Sequence, residues 1–248
     1  MRFKDKRVLV TGSTRGIGRA AAQGFAAEGA RVVVHGTKTD AAQATAAEVG
    51  AVAGFGFDLG TAKGCTELVA AAIETLGSLD ILVNNAGIFY SGKTEDFDEA
   101  AYDRMMDVNV KSVFFCTKAA LPALRENKGS IVNLASESGI MGQYGCVVYC
   151  GTKAAILNMT RAMALEYAPE VRANCVSPGT IDTDMVRFDA HRSADPEAQL
   201  AAMADYAPMR RLGKPNEIAA GILYLASADA AFVTGASLSI DGGTTAGH

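Results

Sequence analysis

The sequence has little with which to bind a metal, staple itself or cross a membrane. Its five cysteines (Cys65, Cys116, Cys146, Cys150 and Cys175) are odd in number and contain no CxxC pair. Three histidines occur, scattered at 35, 191 and 248, and none lies near Cys146 and Cys150, the two thiols whose spacing could share a helix face. No zinc site is expected from such a set. Buried, reduced thiols of a cytoplasmic protein are the expected state. No run of about 18 apolar residues is present to span a bilayer, and the apolar stretch after the basic start ends at Gly12, too soon for a signal peptide. Long basic runs are also missing: 23 Lys+Arg stand against 27 Asp+Glu, and the Arg210-Arg211 doublet reads as a solvated loop. A nucleic-acid binder would concentrate positive charge on one face. Neither nucleic acid nor membrane is an expected partner.

What is present is a chain of 248 residues, 49% hydrophobic and 20% charged, with enough apolar surface to offset the entropy of ordering. Short β-branched runs (Val8–Thr11, Arg31–His35, Val52–Phe57, Ile81–Asn84, Ser130–Leu134, Val171–Val176) alternate with alanine-rich helical stretches. Continuous apolar strands covered on both faces belong to a parallel sheet, and strand–helix alternation to a doubly wound α/β fold. Gly16–Gly29 and Thr152–Tyr167 are the most legible helices. No linker or internal repeat interrupts the series, so residues 1–248 read as one domain. The polar stretch from about Asp184 to Pro208 lies outside the alternation and reads either as a substrate lid or as a plain pair of surface helices.

Thr11-Gly12-Ser13-Thr14-Arg15-Gly16-Ile17-Gly18 joins the first strand to a helix. Glycines there permit a tight turn, close approach of backbone to a pyrophosphate and helix–strand packing, and the helix N-terminus offers free N–H groups to negative charge. No GK[ST] closes the turn, so it is not a P-loop, and its spacing is GxxxGxG rather than GxGxxG. The acid that would hold a ribose 2′-hydroxyl at the end of the second strand is missing: Val34-His35-Gly36-Thr37-Lys38 offers none before Asp40. Arg15 and Lys38 are cations that suit a 2′-phosphate instead, although Lys38 also reads as an ordinary solvated lysine. NADP(H) is therefore favoured over NAD(H).

Tyr149 and Lys153 are four apart at a helix start and share a face. A cation beside a phenol is expected to lower its pKa toward use as an acid/base at neutral pH. Ser136 lies 13 residues earlier, past a strand end, where a hydroxyl can hold a substrate oxygen.

Taken together these residues resemble the short-chain dehydrogenase/reductase family over nearly the whole chain. The TGxxxGIG turn is Thr11–Gly18, the adenine-contacting acid after the third strand is matched by Asp58 with Leu59, and NNAG by Asn84-Asn85-Ala86-Gly87. The helix asparagine matches Asn109, the catalytic serine Ser136, the YxxxK pair Tyr149 and Lys153, and the PG turn Pro178-Gly179 with Ile181 and Thr183. The Ser239–Gly243 run is like the family's last strand. Ala135 stands where many members have a second serine, and Gly151 weakens the catalytic helix slightly.

The resemblance implies a Rossmann-type single domain of about seven strands. It implies a site in which Ser136 and Tyr149 hold the substrate carbonyl and Tyr149 supplies a proton as hydride arrives from the nicotinamide. In the same family pattern Lys153 lowers the tyrosine pKa and holds the nicotinamide ribose, and Asn109 anchors a water. Family members are commonly tetramers built through the helices that carry Asn109 and Tyr149. The apolar residues of Thr152–Tyr167 occupy more than one face, as such a contact requires, or as a helix buried within one subunit requires.

Expected substrates are a small ketone or an acyl-carrier-linked 3-oxoacyl group, since the general look is nearest to 3-oxoacyl-acyl-carrier-protein reductases. The pocket candidates Met141, Gln143 and Tyr144 are mixed in polarity and define no single ligand. Two rival readings remain at this point. One is an NAD-dependent polyol or hydroxysteroid dehydrogenase, which an acid at Gly36 would have favoured. The other is a silent cofactor-binding regulator, which would typically lack the Tyr or Lys of the pair.

Overall fold

The alternation of β-branched and alanine-rich runs folds, in a computed structural model that describes residues 1–247, into a seven-stranded parallel sheet. His248, the third histidine of the sequence, lies outside the described residues. The strands are β1 Arg7–Val10, β2 Arg31–Gly36, β3 Ala53–Gly56, β4 Ile81–Asn84, β5 Ser130–Leu134, β6 Arg172–Pro178 and β7 Ser237–Ile240. Their order is β3-β2-β1-β4-β5-β6-β7. The last strand starts two residues before the expected run and stops short of its glycines. Gly242 and Gly243 take φ values of 65° and 93°, which turn the chain out of the sheet.

Apolar runs without alternation serve a sheet that is covered twice. Val8 and Val10 of β1 pack beneath α1 (Gly16–Ala27), α2 (Thr39–Val49) and α9 (Pro215–Ala226), among Phe25, Val49 and Ile222. Leu9, between them, points to the other face, where α3 (Ala62–Leu76), α5 (Ser112–Glu126) and α6 (Val147–Tyr167) bring Leu68, Leu124 and Ile156. Both faces are therefore dry, as the sequence pattern requires.

Helix starts follow local chemistry. Thr61 caps α3 by accepting from Gly64 N at 3.0 Å, and Asp98 caps α4 (Glu99–Met106) by accepting from Ala101 N at 2.7 Å. Between α4 and α5 the chain widens into a π-helical turn, Asp107–Lys111, that carries Asn109. α6 begins at Val147, five residues before Thr152 and two before Tyr149, so Tyr149 and Lys153 are both held on helical backbone, as their shared face requires. The 184–208 stretch forms α7 (Asp184–Ala190) and α8 (Pro196–Tyr206), and α8 buries none of its residues.

From β1 the chain moves outward through β2 and β3, then crosses to β4 on the other side of β1. That reversal opens a crevice at the C-terminal ends of β1 and β4, the place where doubly wound sheets hold ligands. Among the described residues no helix is long and apolar enough to cross a membrane.

Candidate active site

The crevice is walled by the turn after β1. Thr11 Oγ1 accepts from the N–H groups of Asn85 and Ala86, each at 3.0 Å, and Asn85 Nδ2 donates back to Thr11 O at 2.9 Å and Gly12 O at 2.8 Å. The two sequence motifs at β1 and β4 are thus one hydrogen-bonded unit. A Cβ at Gly12 would stand 2.8 Å from Ala86 Cα, and one at Gly18 would meet Asn85 Nδ2 and, at 2.5 Å, Gly12 O. Only glycine lets the strands, the turn and α1 approach so closely. Arg15, at the N-cap of α1, makes no side-chain capping bond, so the helix presents its N–H groups and positive end to the cleft.

At the other end, α6 places Tyr149 and Lys153 one turn apart. Lys153 is buried, donates from Nζ to Leu134 O at 2.8 Å, and lies 5.6 Å from the Tyr149 ring centroid. The Phe89 ring meets the Tyr149 ring edge-on, with centroids 4.9 Å apart. Ser136, just past β5, lines the same cleft wall as Tyr149 and bonds to Ser138 rather than to the phenol. Asn109 Oδ1 accepts from Ile88 N at 2.8 Å while its Nδ2 donates to Ile88 O at 2.9 Å and to Thr152 Oγ1 at 3.2 Å. Both amide hydrogens and one oxygen lone pair are thus committed to tying the loop after β4 to α6. The Oδ1 lone pair left over, on the side of Gly87, is what remains for a water.

One electrostatic expectation is corrected. Burial pushes the Tyr149 phenol above its ordinary value, and the nearby Ser136 hydroxyl offsets this only in part. Burial also pulls Lys153 down to about 8. The Lys153 ammonium is spent on the Leu134 carbonyl rather than on the phenolate, so it does not produce the expected depression. Tyr149 is a protonated phenol at neutral pH, the form that donates.

Of the cofactor-binding candidates all but Ser13 line a single cleft of about 530 Å³. Ser13 is turned inward. Its hydroxyl donates to Val10 O at 2.6 Å and accepts from His35 N at 3.0 Å, so it braces β1 against β2. Ser136, Tyr149 and Lys153 line the same cleft, whereas Asn109 is buried behind it. The sequence reading missed three residues. His35 accepts from Gly12 N at 2.9 Å and fixes the turn. Arg104 grips Asp58 with two bonds, at 2.9 and 3.1 Å, and keeps its carboxylate below the usual range. Phe89 positions the Tyr149 ring. None carries a motif: each acts through a contact made by a distant element.

Residues 12–245 match the family model described as enoyl-(acyl carrier protein) reductase. A 2-(S)-hydroxypropyl-CoM dehydrogenase of Xanthobacter autotrophicus is 43% identical, over 99% of this chain and 98% of its own. The chain belongs to the short-chain dehydrogenase/reductase family. This short-chain dehydrogenase/reductase is also 37% identical to a meso-2,3-butanediol dehydrogenase of Serratia marcescens, over 99% of this chain and 97% of the other. An aldohexose dehydrogenase from Thermoplasma acidophilum superposes with a TM-score of 0.91 at 33% identity, covering 99% of this chain and 96% of its own.

The family uses a nicotinamide cofactor, and the residues present fit one. The close-approach glycines, the uncapped end of α1 and the continuous cleft from Lys38 to Tyr149 suit an extended dinucleotide with a pyrophosphate at its middle. Among the described residues no group of three or more His, Cys, Asp or Glu is placed to hold a metal ion.

Proposed function

We propose that the protein is an NADP(H)-dependent oxidoreductase that reduces a ketone, either a 3-oxoacyl group or a related small carbonyl, to a secondary alcohol. The carrying observation is that one cleft runs from the uncapped N-terminus of α1 to the Tyr149 phenol, which is protonated and shares the cleft with Ser136. The bound nicotinamide supplies the hydride. Ser136 and Tyr149 orient the carbonyl oxygen, and Tyr149 gives its proton to that oxygen as negative charge develops there. Lys153, tied to Leu134 O, braces α6 beneath the site and faces the cleft where the nicotinamide ribose would lie. Asn109 keeps the loop after β4 in register with α6. The loop is also tied to α7, through Ser91 Oγ donating to Asp189 Oδ1 at 2.8 Å, which suits α7 and α8 to act as a lid over a substrate.

NADP(H) is favoured by charge. Arg15 and Lys38 both line the cleft, and neither forms an ion pair among the described residues. A Cβ at Gly36 would stand 2.6 Å from Thr14 Cγ2, so the position that tests this preference without a clash is the exposed Thr37. Thr37→Asp should move kcat/KM toward NADH by about tenfold or more, the effect of ~1.4 kcal/mol at one charged contact. The decisive experiment is a ketone panel, including a 3-oxoacyl thioester, followed by NADPH fluorescence and repeated with NADH. Equal or better use of NADH would end the cofactor proposal.

A second reading is supported by the names of the two sequence relatives, which specify a hydroxypropyl and a butanediol substrate. It is the oxidation of a small secondary alcohol, and running the panel with alcohols distinguishes it.

A further inference from the structure

We propose that Glu137 is a positioning residue that sets, through Gln143 and Ser138, the direction in which the Ser136 hydroxyl donates, and hence whether the site receives a ketone or an alcohol. The proposal rests on the carbonyl–alcohol reading above. Its basis is an unbroken chain of side chains leading away from the cleft. Ser136 Oγ donates to Ser138 Oγ at 3.1 Å, Ser138 Oγ donates to Gln143 Oε1 at 2.7 Å, and Gln143 Nε2 donates to Glu137 Oε1 at 3.2 Å. Glu137 is 3% exposed, and its Oε2 is buried with no partner among the described residues.

Each hydroxyl in the chain has one proton, so its polarity is set at the far end. An ionised Glu137 only accepts. Gln143 must then turn its amide N–H to Glu137 and its carbonyl to Ser138, which must donate to that carbonyl and so accept from Ser136. The distances match this polarity: 2.7 Å is ordinary for a hydroxyl on a carbonyl and 3.2 Å for an amide on a carboxylate. Ser136 then points its proton inward and offers the cleft a lone pair, which suits an alcohol O–H. A Glu137 protonated on Oε1, the oxygen that faces Gln143, reverses every link. Its O–H donates to Gln143 Oε1, the amide having rotated by half a turn, and Nε2 donates to Ser138. Ser138 donates to Ser136, and the Ser136 proton turns to the cleft, where it meets a carbonyl oxygen. The only proton gained comes from solvent, and no other covalent bond changes.

The surroundings place this choice near neutrality. Glu137 faces the Asp241 carboxylate beyond β7, the Thr180 and Thr244 hydroxyls, Gln143, and the Tyr149 phenol on α6. Lys153, also on α6, donates to Leu134 O and makes no ion pair with it. Burial first, and Asp241 second, raise the Glu137 carboxyl to about 7.

The test compares the pH dependence of kcat/KM for ketone reduction and alcohol oxidation in the wild type, Glu137→Gln and Gln143→Met. In the wild type, reduction is expected to fall about tenfold per pH unit above a midpoint near 7 while oxidation rises there. Glu137→Gln supplies donor and acceptor at every pH, so this limb should vanish with the low-pH plateau of reduction retained. Gln143→Met cuts the chain and should remove the same limb although Glu137 remains. A purely structural role would instead lower both directions evenly at all pH values. A second readout needs no substrate. The infrared carboxyl band that Glu137→Gln removes should titrate in the wild type, and in Gln143→Met it should shift in frequency and titrate at higher pH. Profiles of Glu137→Gln that superimpose on the wild type, or a band unmoved by Gln143→Met, would overturn the proposal. Absence of turnover by the wild type in either direction, with either cofactor, overturns the functional reading and the substrate half of the proposal, while the infrared band still decides whether the chain is coupled.

Discussion

At the scale of single residues, the hydrogen bonds of His35 fix its tautomer. Gly12 N–H donates to Nδ1 at 2.9 Å, so Nε2 carries the proton and donates to Phe57 O at 3.1 Å. Burial pulls this imidazole down to about 4. Below the unfolded value of 6.5 the unfolded chain gains a proton that the folded one refuses, so this contribution to stability is complete above 6.5 and is lost as pH falls toward 4. The unfolding free energy of the wild type minus that of His35→Gln should therefore drop by about 3 kcal/mol across that window, measured by urea titration. Glu137 has the opposite sign. Its folded value is raised from 4.5 to about 7, so its contribution is complete below 4.5 and is lost as pH rises through 7. The difference between the wild type and Glu137→Gln should fall by on the order of 3 kcal/mol over that rise. Neither residue was legible as a functional one. His35 reads as a strand residue and Glu137 as part of a loop, because their roles depend on the β1–β2 register and on a carboxylate more than 100 positions away in the chain. Tyr149, Lys153 and Ser136 were legible because their spacing belongs to one helix and one strand end. Lys153→Ala is expected to weaken both turnover and NADPH binding in parallel assays, since its ammonium lines the cleft and also ties α6, which carries Tyr149, to the end of β5.

At the scale of elements, the junction of β1, α1 and β4 tolerates no added atom. Gly18→Ala would drive a methyl group onto Gly12 O and Asn85, an overpacking of backbone that costs about 1–3 kcal/mol and pushes α1 off the cleft. A lowered thermal midpoint together with a weakened NADPH affinity is the expected outcome, and a variant with unchanged affinity would disconnect the turn from the dinucleotide. The strands and α1 were readable because their apolar period is continuous and their glycines have a stated geometric need. The π-helical turn at Asp107–Lys111 was not. Its wider pitch follows from Asn109 reaching Ile88 and Thr152 at once, a tertiary demand without a local signal. The turn of α6 ahead of Tyr149 escaped notice because Val147 and Val148 are strand-favouring residues and Cys146, at the N-cap, makes no side-chain capping bond.

At the scale of the whole molecule, α6 is not the fully buried helix that its apolar faces allowed. Leu165 is 86% exposed and Val147 63%, and on α5 Phe114 is 49% exposed. Apolar side chains on the outer surfaces of these two helices support the proposed homotetramer, and light scattering should give a mass near four chains that persists on dilution. A monomer stable to dilution would reject it. The central claim is that this fold turns over NADPH through the Tyr149 hydroxyl, and it is tested most directly by one paired measurement on Tyr149→Phe: ketone-dependent NADPH oxidation beside an NADPH-binding titration. The expected result is a loss of turnover on the order of 10²–10⁴ with cofactor affinity close to that of the wild type, because the ring, its Phe89 contact and the glycine turn all remain. Wild-type turnover by Tyr149→Phe would contradict the claim and place the proton donor elsewhere.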